Sequence, residues 1–312
     1  MIRHNISGAQ PVELPYEGFS LMSNKDQSDR LAGRKPQAVS VFRPGQVLPD
    51  RGMTLDQRTG REIFVTPQSL ARLSPSRVWE SITPITTTSD VLEGNGLFPD
   101  VGADSSTETF DLLRTRILQA LAAKKWGRIA VSSPTHGCGK SFVAANLALA
   151  MARLPSCRTV LIDFELRDPH LGPLFGQTSV APLREYLSGD QPLESHFRRY
   201  GPNLALALNG EAIGMPAALL QAPSTREALE AMQYHLEPDI VIFDTPPALG
   251  SDDVISIADQ IDAVLLVVDG TQTTPADIRA CERLFEGRLP LLGVVLNRAE
   301  DRGLARYKYG RR

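Results

Sequence analysis

Cysteine is scarce in this sequence: Cys138, Cys157 and Cys281 are the only three among 312 residues. They follow no disulfide or metal-ligand spacing, so neither a cystine framework nor a zinc site organises the chain. Aromatic residues are also few, at 6%. No uninterrupted apolar stretch approaches the roughly 20 residues of a spanning helix, and the stretch from Met1 to Pro15 lacks the apolar core of a secretory signal. A formal charge of −3 gives no global attraction to nucleic acid or to an anionic membrane. These absences predict a soluble chain in a reducing cytoplasm, with no nucleic-acid partner.

What is present is unevenly distributed. The apolar fraction of 42% suffices for a packed core. Residues 1–104, however, scatter Pro, Gly, Ser, Asp and Arg with few sustained apolar periods, and read as a low-order arm or linker. Within it, Val78-Trp79-Glu80-Ser81-Ile82 reads equally as a docking segment and as a piece packed onto the domain. Residues 105–300 read as one folded domain, and 301–312 as a flexible basic tail.

The domain opens on Ser105-Ser106-Thr107-Glu108, a capping-box spacing, followed by Phe110, Leu113, Ile117, Leu118 and Leu121 at helical intervals. Short apolar runs then recur at 129–131, 159–162, 204–208, 240–243, 263–268 and 291–296, with helical patterns such as Ser224 to Met232 and Pro275 to Phe285 between them. Near-continuous apolar strands alternating with helices predict an α/β fold: a parallel sheet with helices on both faces and ligands at the carboxyl ends of the strands.

Pro134-Thr135-His136-Gly137-Cys138-Gly139-Lys140-Ser141 follows the first of these strands and opens a helix. It fits a Walker A phosphate loop except at its first position, where Pro134 replaces the usual glycine. The segment Gly137, Cys138, Gly139, Lys140, Ser141 and Phe142 is the expected ATP-binding stretch. Its backbone amides and helix N-terminus face phosphate, Lys140 reaches the β and γ phosphates, and Ser141 ligates Mg²⁺. A plain Gly-rich turn with a surface lysine is the competing reading, and the flanking strand and helix argue against it. Cys138 is taken as a small residue that fits the turn and His136 as a solvated loop residue, while His170, His196 and His235 lack ligand spacing.

Asp163 and Glu165 follow the second strand, and Asp244 ends the fourth. Strand-end carboxylates of this kind hold Mg²⁺ or accept a proton from an attacking hydroxyl, although any one alone reads equally as a turn or helix cap.

The phosphate loop, Leu161-Ile162-Asp163-Phe164-Glu165-Leu166-Arg167-Asp168-Pro169, Asp244-Thr245-Pro246-Pro247 with Asp252-Asp253, and Gly293-Val294-Val295-Leu296-Asn297 together resemble the motifs of bacterial protein-tyrosine kinases from capsule and exopolysaccharide loci, from about Thr107 to Tyr309. The resemblance implies an ATP-dependent autokinase. In it Lys140 and Ser141 bind phosphate and metal, Asp163 activates the tyrosine hydroxyl, Asp244 supports Mg²⁺ and Asn297 lies near the adenine. It also implies a membrane polysaccharide co-polymerase as activator, recruitment to the inner face of the plasma membrane, protein tyrosine substrates and a homo-oligomer.

The chain departs from the family pattern at three places. Glu165 stands where the family has a second aspartate. Glu108 is followed by Asp111 and Arg114 where the family's subunit-pairing helix has two arginines. The tail carries only Tyr307 and Tyr309 as expected phosphoacceptors. Two other functions fit the same motifs: a positioning ATPase like those that dimerise on ATP, and a nucleotide-binding regulatory subunit without kinase activity. The positioning ATPases usually carry a lysine where this chain has Thr135.

Overall fold

The structure is a computed structural model and describes residues 3–5, 52–55, 62–65, 74–100 and 105–299. Tyr307 and Tyr309 lie outside the described residues, as does most of the segment before residue 74.

In chain order the strands are β1 (Arg3–Asn5), β2 (Gly52–Leu55), β3 (Glu62–Val65), β4 (Arg128–Ser132), β5 (Thr159–Asp163), β6 (Arg198–Tyr200), β7 (Leu204–Ala207), β8 (Ile240–Asp244), β9 (Ala263–Asp269) and β10 (Leu291–Asn297). Strands β2 and β3 pair with each other, and the rest form one sheet in the order β1-β10-β9-β4-β8-β5-β7-β6. The six inner strands are parallel, and both edge strands, β1 and β6, run antiparallel. All six apolar runs read from the sequence are these six parallel strands. β6, an Arg-Arg-Tyr edge, carries no apolar alternation and has no such signature.

The pleat distributes each strand between two cores. Val160 and Ile162 of β5 and Val241 and Phe243 of β8 point into one, while Leu161, Ile240 and Ile242 point into the other. The first core is covered by α1 (Pro75–Ser81), by the short helices α6 (Leu183–Leu187), α7 (Leu193–His196), α8 (Pro216–Leu220) and α10 (Asp253–Ser256), and by α9 (Pro223–Leu236) and α11 (Pro275–Phe285). The second is covered by α2 (Ser89–Gly94), α3 (Ser105–Lys124), α4 (Lys140–Ala152) and α5 (Leu171–Leu174). Helix α4 is buried along nearly its whole length, and its four buried alanines let it lie close between the sheet and α3.

Residues 74–100, inside the stretch expected to be low in order, instead pack onto the domain. Val78, Trp79 and Ile82 are buried, and the Trp79 indole N–H donates to the Leu236 carbonyl at 2.8 Å. Further on, Leu92 and Leu97 are buried and the Asn146 side chain of α4 accepts from Phe98 N at 2.9 Å. Arg153 donates to the Phe98 carbonyl at 2.8 Å. The sequence hides this because each short helix buries only one or two side chains, too few to establish a period.

Trp79→Ala should cost about 3–5 kcal/mol in urea unfolding, through lost burial and the cavity left behind. Trp79→Phe keeps the packing but orphans the Leu236 carbonyl, and should cost about 1–2 kcal/mol. Equal stability of both variants and the wild type would mean that the segment is not part of the folded unit.

Candidate active site

Strand β4 sits near the middle of the sheet, flanked by β8 and β9, and its carboxyl end opens into the phosphate loop. Gly137 and Gly139 both have left-handed backbones, at φ 80° and 88°, which glycine adopts without strain. Pro134 is not among the residues with positive φ, so its ring suits the position where a glycine is usual. The loop is moored to the neighbouring strand. Ser132 Oγ donates to the Pro246 carbonyl at 2.7 Å, and Ala248 N donates to the Ser133 carbonyl at 2.7 Å. Helix α4 begins at Lys140, so the first amides of the helix face the loop without intrahelical partners. The Phe142 ring packs against Phe98 and Phe110, with centroids 6.3 and 5.9 Å away. Of this residue only the backbone faces the loop.

Around Lys140 lie three buried carboxylates. Asp163 and Asp244 end adjacent strands in direct register, and Glu165 forms an ion pair with Lys140 Nζ at 2.8 Å. Burial opposes the charge on Lys140, but the carboxylates of Asp244, Glu165 and Asp163 together raise its pKa. Burial lifts the Asp163 carboxyl well above the usual range, Asp244 beside it lifts it further, and the Leu171 amide and Lys140 only partly offset this. Asp244 is likewise raised by burial, against the pull of Lys140 and the nearby Ser141 hydroxyl. One oxygen each of Asp163 and Glu165, and both of Asp244, are buried without a hydrogen-bond partner.

Those unpaired oxygens, beside a serine hydroxyl at the head of a phosphate-loop helix, fit Mg²⁺. Among the described residues no three His, Cys, Asp or Glu side chains form a self-contained metal cage. Magnesium does not need one, because it keeps several waters and takes one or two protein ligands plus phosphate oxygens. Ser141, Asp163 and Asp244 are the side chains that could hold it.

Glu165 reaches the loop lysine, pairing with Lys140 Nζ. Asn297 also has partners of its own. Its Nδ2 donates to the Cys138 carbonyl at 2.9 Å, and its Oδ1 accepts from Arg298 N at 3.0 Å. Arg298 and Asp269 are site residues without a motif in the sequence. Arg298 Nη1 donates to the Gly137 carbonyl at 2.8 Å and to Asp269 Oδ2 at 2.7 Å.

The remaining residues singled out in the sequence divide clearly. Arg167 binds buried Asp253 through both oxygens, at 3.0 and 3.3 Å. His196 is buried, donates from Nε2 to the Leu208 carbonyl at 2.9 Å, and has its pKa lowered to about 4 by burial. The Tyr186 hydroxyl is buried and donates to the Ala228 carbonyl at 2.7 Å, with its pKa pushed up by desolvation, so it is no phosphoacceptor in the folded chain. Asp111 accepts from Arg114 at 2.6 Å and from Arg153 at 2.8 Å, so both anion and cation of this motif are engaged inside the chain.

Residues 126–300, just over half of the chain, match the protein family described as ParA: NUBPL iron-transfer P-loop NTPase. The chain is 32% identical over 211 residues to the putative tyrosine-protein kinase EpsB of Ralstonia nicotianae, covering 67% of this chain and 28% of that protein. It therefore spans little more than a quarter of that relative. Tyrosine-protein kinase CpsD of Streptococcus agalactiae is 29% identical over 202 residues, covering 64% of this chain and 85% of that protein. The kinase domain of Escherichia coli tyrosine kinase ETK superposes with a TM-score of 0.60 at 27% identity, over 68% of this chain and 83% of that domain. The parallel sheet, the phosphate loop and these matches agree: the chain belongs to the ParA family of P-loop NTPases, alongside relatives named as bacterial tyrosine-protein kinases.

Proposed function

We propose that this chain is a protein-tyrosine kinase that transfers the γ-phosphoryl group of ATP to tyrosine, in itself and in protein partners, and so regulates exopolysaccharide or capsule production. One observation carries the reading: a buried lysine at the head of the phosphate-loop helix faces three buried carboxylates whose oxygens are largely unpaired. The relatives named as tyrosine kinases supply the choice of acceptor.

On ATP binding Lys140 exchanges Glu165 for phosphate oxygens, and the loop amides take the rest of the triphosphate. Bound Mg²⁺ would supply charge neutralisation to the phosphates, held by Ser141 and Asp244 with Asp163 beside them. In the transfer, the tyrosine oxygen bonds to the γ phosphorus as the bond from that phosphorus to the β–γ bridging oxygen breaks and ADP leaves. Asp163 takes the phenolic proton, a task that suits a carboxyl whose proton affinity burial has raised. Asn297 borders the adenine site. Tyr307 and Tyr309, nine and eleven residues beyond Arg298 in the sequence, are the proposed acceptors.

A membrane polysaccharide co-polymerase is the proposed activator, recruiting the chain to the inner face of the plasma membrane. Among the described residues no helix is long and apolar enough to cross a membrane. Because Asp111 and Arg114 pair within the chain, a homo-oligomer would rest on other side chains of α3.

Incubating the purified protein with Mg-ATP should yield phosphotyrosine, and ATP turnover without it would leave only an ATPase. Lys140→Ala should lower phosphotransfer on the order of 10²–10³-fold, the scale of losing one preorganised charge-stabilising group. A variant with normal turnover would remove the loop from the reaction.

Asp163→Asn should reduce the transfer rate far more than ATP affinity. It should also raise the melting temperature of the nucleotide-free protein above the carboxylate range. The folded-state pKa of Asp163 is raised, so stability falls as pH rises from the unfolded value through the folded one, and the amide removes that loss. A lower melting temperature at neutral pH would contradict the burial argument.

Mass spectrometry should place phosphate on Tyr307 or Tyr309, and replacing both with Phe should abolish most autophosphorylation while leaving ATP binding intact. Phosphate confined to Tyr16, Tyr200 or Tyr234 would refute the tail as acceptor.

A further inference from the structure

We propose that Arg298, anchored on buried Asp269, is a positioning residue for the phosphate loop, fixing the direction of its amides before nucleotide arrives. The inference rests on the nucleotide-binding reading of the loop and not on the choice of tyrosine as acceptor.

The peptide unit is planar and trans, so its N–H points opposite to its C=O. Arg298 Nη1 holds the Gly137 carbonyl at 2.8 Å, and Asn297 Nδ2 holds the next carbonyl, that of Cys138, at 2.9 Å. Tying two successive carbonyls to the end of β10 turns the N–H groups of Cys138 and Gly139 the other way. Those are amides of the segment that would meet phosphate. The left-handed backbones of Gly137 and Gly139 are what allow both carbonyls to turn toward β10.

The clasp is itself braced. Asp269 is 1% exposed, and its Oδ1 accepts from Thr271 N at 2.8 Å and Thr271 Oγ1 at 2.6 Å, leaving Oδ2 to receive Arg298. Gly270 N donates to the Asn297 carbonyl at 2.8 Å, and a side chain at Gly270 would press on the backbone of residues 297–299. Arg298 holds this post at φ 51°, a left-handed backbone uncommon for a non-glycine residue. A surface arginine with no task at the loop would gain nothing from that backbone.

The experiment titrates the full chain with ATP, ADP and adenosine and measures its melting temperature. Arg298→Ala and Arg298→Gly should each weaken ATP and ADP about tenfold, the scale of a lost charged hydrogen bond. Adenosine, which carries no phosphate, should bind all variants alike. Arg298→Lys, which retains a charged donor for both acceptors, should recover most of the affinity. Arg298→Gly relieves the left-handed backbone and should melt above Arg298→Ala while binding ATP just as weakly. Unchanged ATP affinity in the Ala and Gly variants, equal losses for all three ligands, or affinity that merely follows the melting temperature would overturn the proposal. A wild-type chain that binds neither ATP nor ADP would instead overturn the nucleotide site itself.

Discussion

One ammonium group buried among three carboxylates is the constraint around which the site is built. If Asp163, Glu165 and Asp244 were all ionised, Lys140 would offset only one of them, in surroundings where charge is poorly solvated. Burial raises the pKa values of both Asp163 and Asp244, and the Asp244 carboxylate raises that of Asp163 further. A divalent cation at those oxygens would offset the same imbalance from outside. The site is therefore costly to the fold when empty, and that cost is what gives it chemistry.

The parallel sheet makes such a concentration of charge affordable in space. Strands β5 and β8 end side by side, so Asp163 and Asp244 are brought together by backbone pairing and need no contact of their own. Burial of both faces of the sheet then fixes the register, because a slip of one residue would send the apolar side chains of β5 and β8 to the wrong cores. Helix α4 extends this rigidity to the phosphate loop. Its buried face is clamped by the sheet on one side and by α3 and residues 96–98 on the other, through Asn146 and Arg153.

The same clamping changes the meaning of a motif. Arg153, at the C-cap of α4, pairs with Asp111, Asp111 pairs with Arg114, and Arg114 donates to the Ala150 carbonyl, so these side chains hold α3 against α4. Asp111 is thus engaged within the chain. It ties the helix that opens the domain to the helix that carries the phosphate loop.

The sequence by itself determined the six parallel strands, the phosphate loop and the strand-end carboxylates. Each is a local pattern: an apolar run, a glycine spacing, an acid following a strand. Only the tertiary structure decided that Glu165 reaches Lys140, that Phe142 turns its ring into the core, and that Trp79 belongs to the domain. It alone brought Arg298 to Gly137 across 161 residues of chain. These contacts join segments with no shared period, and single side chains such as Trp79 and Arg298 leave no trace in a window of sequence. Their partners are chosen by how sheet and helices close on one another, which is a property of the packed whole.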